Sequence, residues 1–213
     1  MEWFRIAKES SVQPPNGRYT DWKPMLAEEA KQQCVYCAIH EAQFGGTRNY
    51  HVEHYRPKSR LEFAHLENDI ANLFYSCCIC NCFKGNDWPS EPRPDNNTSA
   101  YPDPSIVNYA DIFTVNEVTG IIESDFVAGK YLINKLYLNR PQLIMERRVY
   151  FMFARLADFR GVCENAIPVL EGDDTSGSKD LLSEIAKAMI SIDRMKDRLR
   201  NIAPYRQGDI QRP

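Results

Sequence analysis

Two matched cysteine pairs are the first feature of the sequence that could do chemistry. Cys34 and Cys37 form one Cys-x-x-Cys pair, and Cys77 and Cys80 form another of the same spacing. Each pair can offer two thiolates to one tetrahedral zinc ion at about 2.3 Å, and four sulfur ligands complete its coordination sphere. The pattern therefore predicts a closed, structural Zn²⁺ site that leaves no open position for a substrate.

The identity of the second pair stays open at this point, because Cys78 and Cys82 offer competing ligands. We prefer Cys77 and Cys80, whose spacing matches that of the first pair, and we expect the other cysteines to be core residues, namely Cys78, Cys82 and Cys163. The alternatives to metal binding are ordinary buried cysteines and a redox-active dithiol. The gap between the two pairs exceeds the ~15–20 residues usual in a zinc ribbon, so a sizeable segment is inserted there.

A histidine in that inserted segment could act as a general base. His54 follows Glu53 directly, and all four histidines of the chain lie in the same region. A neutral imidazole with an ordinary pKa of about 6.5 can take a proton from the water that attacks a phosphodiester. We expect the other three histidines to be structural or solvent-facing (His40, His51 and His65).

The size and charge of the chain limit its function classes. It has 213 residues, of which 43% are hydrophobic, and 26 basic against 29 acidic residues give a formal net charge of −3. This length suggests one domain that buries roughly 70% of its unfolded surface, and it excludes a disordered or fibrous chain. A charge near zero argues against a generally basic surface, so any contact with nucleic acid must come from a local patch.

No targeting or membrane segment is expected. Charged residues interrupt the start of the sequence every few positions, so we expect no secretory signal. No apolar run approaches the ~18 residues of a membrane span. We therefore predict a cytoplasmic protein without membrane contact, and in that reducing compartment clustered cysteines favour a metal site over disulfides.

The first half of the chain must position these side chains with short elements. Residues 20–33 predict a helix that leads to the first cysteine pair. Residues 50–55 alternate as a short strand, and residues 73–76 predict a second one. A short helix over 80–84 is expected to end at Gly85.

The sequence patterns in the second half of the chain predict a structural support for the first half. A proline-rich connection covers residues 89–110, and residues 112–123 resemble a β-hairpin. Residues 130–160 are helical with a break at 139–141, where a proline interrupts the pattern, and residues 178–200 form an amphipathic helix.

The predicted fold class is α+β, with three segments along the chain. Residues 1–88 form the core that carries the candidate site, and residues 89–110 form the connection. Residues 111–213 form a mainly helical region with a small β-hairpin, which supports the core or binds a partner.

The order and spacing of these motifs resemble the HNH endonuclease family, which has a ββα-metal fold. The matching positions lie within about residues 34–88 and comprise the two cysteine pairs, Glu53-His54-Tyr55-x-Pro57, Asn72-Leu73 and Asn81-x-x-Lys84-Gly85-Asn86. The resemblance implies a zinc-stapled core of two strands and a helix.

The resemblance also implies a role for each matching side chain. His54 would be the general base, Asn72 would order the loop, and Asn81 with Glu53 would hold a catalytic divalent ion. The chain has Glu53 where the family most often has Asp, and Asn81 where it most often has a final His. Because both are oxygen donors, they favour Mg²⁺ or Mn²⁺ over a softer metal. Such an ion would stabilise the charge that develops on the phosphate and on the leaving oxygen.

Basic residues beside these positions predict a contact with phosphate. Arg56 and Lys58 follow His54, and Lys84 lies three residues after Asn81. Together they would give a local positive rim, with DNA as the favoured substrate and RNA, including tRNA, as the alternative.

The second half carries a further resemblance. Ile133-Asn134-Lys135-Leu136-Tyr137-Leu138-Asn139, followed by Arg147-Arg148, is similar to the C-terminal half of HNH subunits from Septu-type and retron-associated anti-phage systems. In those systems the nuclease works with a separate ATPase subunit, so the resemblance implies an ATPase partner. The chain has no Gly-x-x-x-x-Gly-Lys phosphate loop of its own. The competing hypothesis is a zinc-stabilised nucleic-acid-binding or interaction module without catalysis.

Overall fold

The computed structural model describes residues 1–8, 17–173 and 175–202. The chain divides into two compact units, Met1–Arg147 and Arg148–Pro213. The first unit contains two small antiparallel sheets and the cysteine pairs, so the fold is mixed α/β. Residues 203–213 of the predicted C-terminal region lie outside the described residues.

The first helix is shorter than predicted. A 3₁₀ turn, Tyr19–Trp22, leads into α1, Lys23–Glu29, which ends four residues before the end of the predicted helix over 20–33. Lys31 and Gln32 have positive φ angles of 49° and 57°. This left-handed backbone cannot continue a right-handed helix, so the chain turns away toward the first cysteine pair.

Two strands and a helix form the centre of the first unit. Strand β1, Tyr50–His54, pairs antiparallel with β2, Leu73–Cys77, and both strands are confirmed at their predicted positions. Helix α2, Cys78–Lys84, follows β2 without a connecting residue and begins two residues before the predicted start. Gly85 ends it with a φ of 52°, as expected for a glycine after a helix.

The predicted scaffold elements are present in the second half. Strands β3, Thr114–Val115, and β4, Ile122–Glu123, form the expected hairpin. Helix α3, Val127–Lys135, is followed by the predicted break, and α4, Pro141–Glu171, begins at the proline. The last helix is α5, Ser176–Ile202.

The hydrophobic core of the first unit combines distant parts of the sequence. Trp3 packs its ring against Phe113 with centroids 5.2 Å apart, and its indole nitrogen donates to the Tyr36 carbonyl over 2.9 Å. In the proline-rich connection, Tyr101 is fully buried and stacks on Trp88. Residues from all three predicted segments therefore share one core.

The described part of the second unit is mainly helical and contains most of α4 and all of α5. Cys163 on α4 and Ile192 on α5 are buried, and Arg160 forms ion pairs of 2.8 Å with Glu164 and 2.6 Å with Asp193. Among the helices of the described ranges, none is long and apolar enough to cross a bilayer.

Candidate metal centre and adjoining strand–helix site

Four buried cysteines come together as the four-cysteine cluster, Cys34, Cys37, Cys77 and Cys80. Their sulfur atoms all lie within 4.8 Å of one another, and the sulfurs of Cys37 and Cys77 are 3.8 Å apart. Four ligands at about 2.3 Å around a tetrahedral zinc ion would lie about 3.8 Å from one another. The cluster therefore fits Zn²⁺ in both donor type and spacing.

The first pair sits in a tight backbone turn. The Cys34 amide donates to the Ile39 carbonyl, and the Ala38 amide donates back to the Cys34 carbonyl over 2.8 Å. Ala38 has a φ of 55°, which closes the turn. The Val35 amide donates to the Tyr75 carbonyl of β2, so this turn is joined directly to the strand that ends at Cys77.

The second pair lies where β2 passes into α2. Cys77 is the last residue of β2, and its sulfur accepts the Cys80 amide over 3.5 Å at the start of the helix. Cys78 is half-buried and Cys82 is exposed, and both lie outside the cluster. The prediction that Cys82 is a core residue is therefore wrong, because its position on α2 faces solvent, whereas Cys163 is buried as expected.

Hydrogen bonds within the cluster shift the pKa values of three of its thiols. Burial raises the pKa of Cys34, but hydrogen bonds from the Cys37, Cys77 and Cys80 thiols lower it to well below its ordinary value. The pKa values of Cys77 and Cys80 are raised, mainly because their thiols donate to Cys34. A metal ion binds the deprotonated thiolate form of cysteine, and the low pKa of Cys34 favours that form.

An arginine from the second half of the chain contacts the cluster. Arg140 lies in the connection between α3 and α4, and its Nη2 is 3.7 Å from the Cys37 sulfur and 3.8 Å from that of Cys80. Nη2 also lies 4.0 Å from the sulfur of Cys77, and Nη1 is 3.8 Å from that of Cys80. Burial would lower the pKa of Arg140, but the nearby sulfurs raise it above its ordinary value. No contact between Arg140 and the cysteines was predicted, because no local sequence pattern connects them.

A buried ion pair joins β1 to α2 beside the cluster. Glu53 is 2% exposed, and its Oε1 lies 2.6 Å from the Lys84 ammonium and accepts the Tyr36 hydroxyl over 3.3 Å. Lys84 also donates to the His54 carbonyl over 2.9 Å. Burial raises the pKa of Glu53, and the charge of Lys84 opposes that shift. Both contacts of the carboxylate use Oε1, and Oε2 takes part in neither.

A second link between β1 and α2 lies at a more exposed position. The Asn81 amide nitrogen is 3.0 Å from Nδ1 of His51. Both residues line a surface cavity of about 330 Å³, together with Tyr19, Thr20, Lys23, Tyr50 and Val52. His51 was expected to be structural or solvent-facing, and it is exposed. Its contact with Asn81 was missed, although alternation along a strand places it on the same face as Glu53.

The ring of His54 is held in one orientation. Its Nε2 lies 3.0 Å from the carbonyl oxygen of Glu67, and the Tyr19 ring packs edge-on at a centroid distance of 4.8 Å. A carbonyl can only accept, so Nε2 carries the hydrogen and Nδ1 keeps its lone pair in the neutral ring. Burial is the main cause that lowers the pKa of His54, which favours this neutral form.

Asn72 makes the contacts of a loop-ordering residue. Its Oδ1 accepts the Arg56 amide over 2.7 Å, and its Nδ2 donates to the carbonyls of Arg56 and Leu66 over 3.0 and 3.3 Å. Leu66 directly precedes Glu67, whose carbonyl orients His54. The buried amide of Asn72 therefore fixes both ends of the loop that holds the candidate base.

Each of the three predicted phosphate-binding cations pairs with a carboxylate. Arg56 lies 2.8 Å from Glu91 and Lys58 lies 2.6 Å from Glu67, and all four side chains are at least one third exposed. Lys84 is fully buried against Glu53. A direct phosphate contact by Lys84 does not fit this geometry, because its ammonium is enclosed within the β1–α2 interface.

Comparison with known proteins gives no match to the chain among family models, curated proteins or solved structures. The interpretation of the site therefore depends on its geometry. Within the described ranges, the four-cysteine cluster is the one group of three or more His, Cys, Asp or Glu side chains close enough to share a metal ion. A second, catalytic divalent ion stays a prediction.

Proposed function

We propose that the chain is a metal-dependent HNH endonuclease that hydrolyses phosphodiester bonds, with DNA as its substrate. The observation that carries the proposal is the orientation of His54. The Glu67 carbonyl accepts a hydrogen bond from Nε2 of His54, and burial favours the neutral ring. Nδ1 is therefore the ring atom that can accept a proton from water.

In this proposal, β1, β2 and α2 are the ββα-metal core. Support comes from their order and contacts: β1 and β2 pair antiparallel, α2 follows β2 directly, and side chains of α2 reach β1 twice. The four-cysteine cluster would hold the start of α2 to the turn at Cys34 through zinc.

Two oxygen atoms at the β1–α2 interface could hold the divalent ion. Lys84 and Tyr36 use Oε1 of Glu53, and His51 contacts the amide nitrogen of Asn81, which leaves Glu53 Oε2 and Asn81 Oδ1 outside these contacts. Carboxylate and amide oxygens suit Mg²⁺ or Mn²⁺. Bound there, the ion would supply electrostatic stabilisation of the charge on the phosphate.

The substrate contact would be local. Arg56 and Lys58 are partly exposed, so a phosphate could replace Glu91 or Glu67 as their partner. Lys23 lines the cavity next to His51 and adds a third cation. An anti-phage role with an ATPase subunit belongs to this proposal on the strength of the sequence resemblance, and the predicted cytoplasmic location is kept with it.

The test is cleavage of supercoiled plasmid, single-stranded DNA and tRNA by the purified chain in Mg²⁺ or Mn²⁺. We expect His54→Ala to lower the cleavage rate by about 10²–10⁴-fold, the usual contribution of a general base. His65→Ala is the matched control, because it removes an exposed imidazole from the same region of the chain. Cleavage that persists in a folded, zinc-containing His54→Ala variant would refute the role of His54.

A second candidate function is a zinc-stabilised nucleic-acid-binding module without catalysis. The buried Glu53–Lys84 pair favours it, because a carboxylate already neutralised by an ammonium has less to offer a metal ion. This candidate predicts bound zinc and DNA binding with no cleavage in either metal. It also predicts that Asn81→Ala leaves DNA binding unchanged in the presence and absence of Mn²⁺.

A further inference from the structure

We propose that Arg140 is the counter-cation of the zinc site, and that its guanidinium retains the ion by donating hydrogen bonds to the coordinating sulfurs. The inference concerns the four-cysteine cluster and does not depend on nuclease activity. Its starting point is geometric: the two terminal nitrogens of Arg140 lie 3.7–4.0 Å from three of the four sulfurs, those of Cys37, Cys77 and Cys80.

The charge of a loaded cluster explains why a cation is needed there. Four thiolates and one Zn²⁺ carry a net charge of −2, and all four cysteines are buried. Negative charge in a buried site is costly unless it is paired or hydrogen-bonded. A guanidinium presents several N–H groups in a rigid planar fork, so it can donate to more than one sulfur at once, which a lysine ammonium does less well.

The other contacts of Arg140 supply no competing anion. Its Nη1 donates to the carbonyls of Leu136 and Tyr137 over 3.2 and 3.5 Å, and both acceptors are neutral. No carboxylate within the described ranges forms an ion pair with it. The sulfurs are therefore the anionic partners of this largely buried cation, and they carry that charge when they bind a metal ion.

The chain leading to Arg140 is itself held in place. Arg147 at the start of α4 is buried, and its Nη2 donates to the Leu138 carbonyl over 2.9 Å and to Oδ1 of Asn139 over 3.1 Å. These contacts fix the backbone just before Arg140. If Arg140 stabilises bound zinc, then bound zinc stabilises the docked position of Arg140 by the same coupling free energy.

The competing interpretation is that Arg140 only closes the end of α3 through the two carbonyls. In that case its guanidinium would stabilise the connection between α3 and α4 without affecting the metal. The two interpretations differ in the rate at which zinc leaves a folded protein, so that rate is the measurement of choice.

The experiment follows zinc transfer from the full chain to the chromogenic chelator 4-(2-pyridylazo)resorcinol. We expect Arg140→Gln to release zinc about 10–100-fold faster than the wild type, the usual effect of removing an outer-shell partner of a metal ligand. Arg140→Lys keeps the charge and loses the fork, so its rate should be intermediate. Arg148→Gln, which changes an exposed arginine on α4, is the matched control and should release zinc at the wild-type rate.

A wild-type release rate in folded Arg140→Gln would overturn the proposal. If that variant does not fold, Arg140→Lys and hydrogen exchange in the wild type decide. The proposal is supported if Arg140→Lys releases zinc faster than the wild type. It is supported further if zinc extraction from the wild type raises hydrogen exchange at residues 136–140 more than at residues 114–123. An unchanged release rate from folded Arg140→Lys overturns it.

Discussion

At the scale of single residues, the candidate base depends on a short series of contacts. Asn72 holds the Leu66 carbonyl, the next residue offers its carbonyl to Nε2 of His54, and that bond fixes which ring nitrogen can accept a proton. The same amide also bonds both backbone groups of Arg56. One buried side chain therefore sets the geometry on both sides of His54.

Asn72→Ala should destabilise the protein and misplace His54. The substitution removes three hydrogen bonds and leaves the Arg56 amide and two carbonyls without these partners, which costs about 1–3 kcal/mol of unfolding free energy. Denaturant unfolding followed by fluorescence measures the change. Asn86→Ala, at an exposed position after α2, should change the stability by less than ~0.5 kcal/mol. Equal stability of both variants would contradict the loop-ordering role.

At the scale of elements, the strands and the cysteine turns could be predicted from the sequence, because short spacings and alternation determine them. Contacts between residues that are far apart in the sequence could not be predicted in this way. Arg140 is 60 residues from Cys80 and 103 from Cys37, so no local pattern connects them. Lys84 was predicted to face a phosphate because it follows Asn81 by three residues, but burial against Glu53 gives it a structural role. The sequence reveals the type of a side chain, whereas its partner is set by packing.

Lys84→Met should weaken the β1–α2 interface strongly. Removing the ammonium leaves the Glu53 carboxylate buried without its cation, which costs about 3–5 kcal/mol of unfolding free energy. The double variant Glu53→Gln with Lys84→Met should lose less unfolding free energy than the sum of the losses in the two single variants. Lys58→Met breaks a surface pair with Glu67 and should cost at most about 1 kcal/mol. Chemical denaturation of the wild type, the two single variants, the double variant and Lys58→Met, in the absence of divalent ions, gives the comparison. Additive losses would show that the pair does not act as a unit.

At the scale of the whole molecule, the net charge of −3 and the paired cations limit how the chain can hold nucleic acid. Arg56 and Lys58 each have a carboxylate partner, so the positive rim is weaker than the sequence suggested. Binding by the isolated chain should be weak and sensitive to salt. In the proposed function, a partner subunit or a second copy would have to supply the remaining contacts with DNA.

Zinc should hold the first unit together, since its four-cysteine cluster joins the turn at Cys34 to the start of α2. Cys80→Ser should therefore lose most bound zinc and unfold at a markedly lower temperature, because binding to a structural site is part of the folding free energy. Cys82→Ser is the matched control on the same helix, and it should keep about one zinc per chain because Cys82 is exposed and outside the cluster. Metal analysis and thermal unfolding of the two variants decide the matter. A wild-type protein that contains no zinc, and whose Cys-x-x-Cys pairs exchange disulfides with substrates, would instead support the redox interpretation.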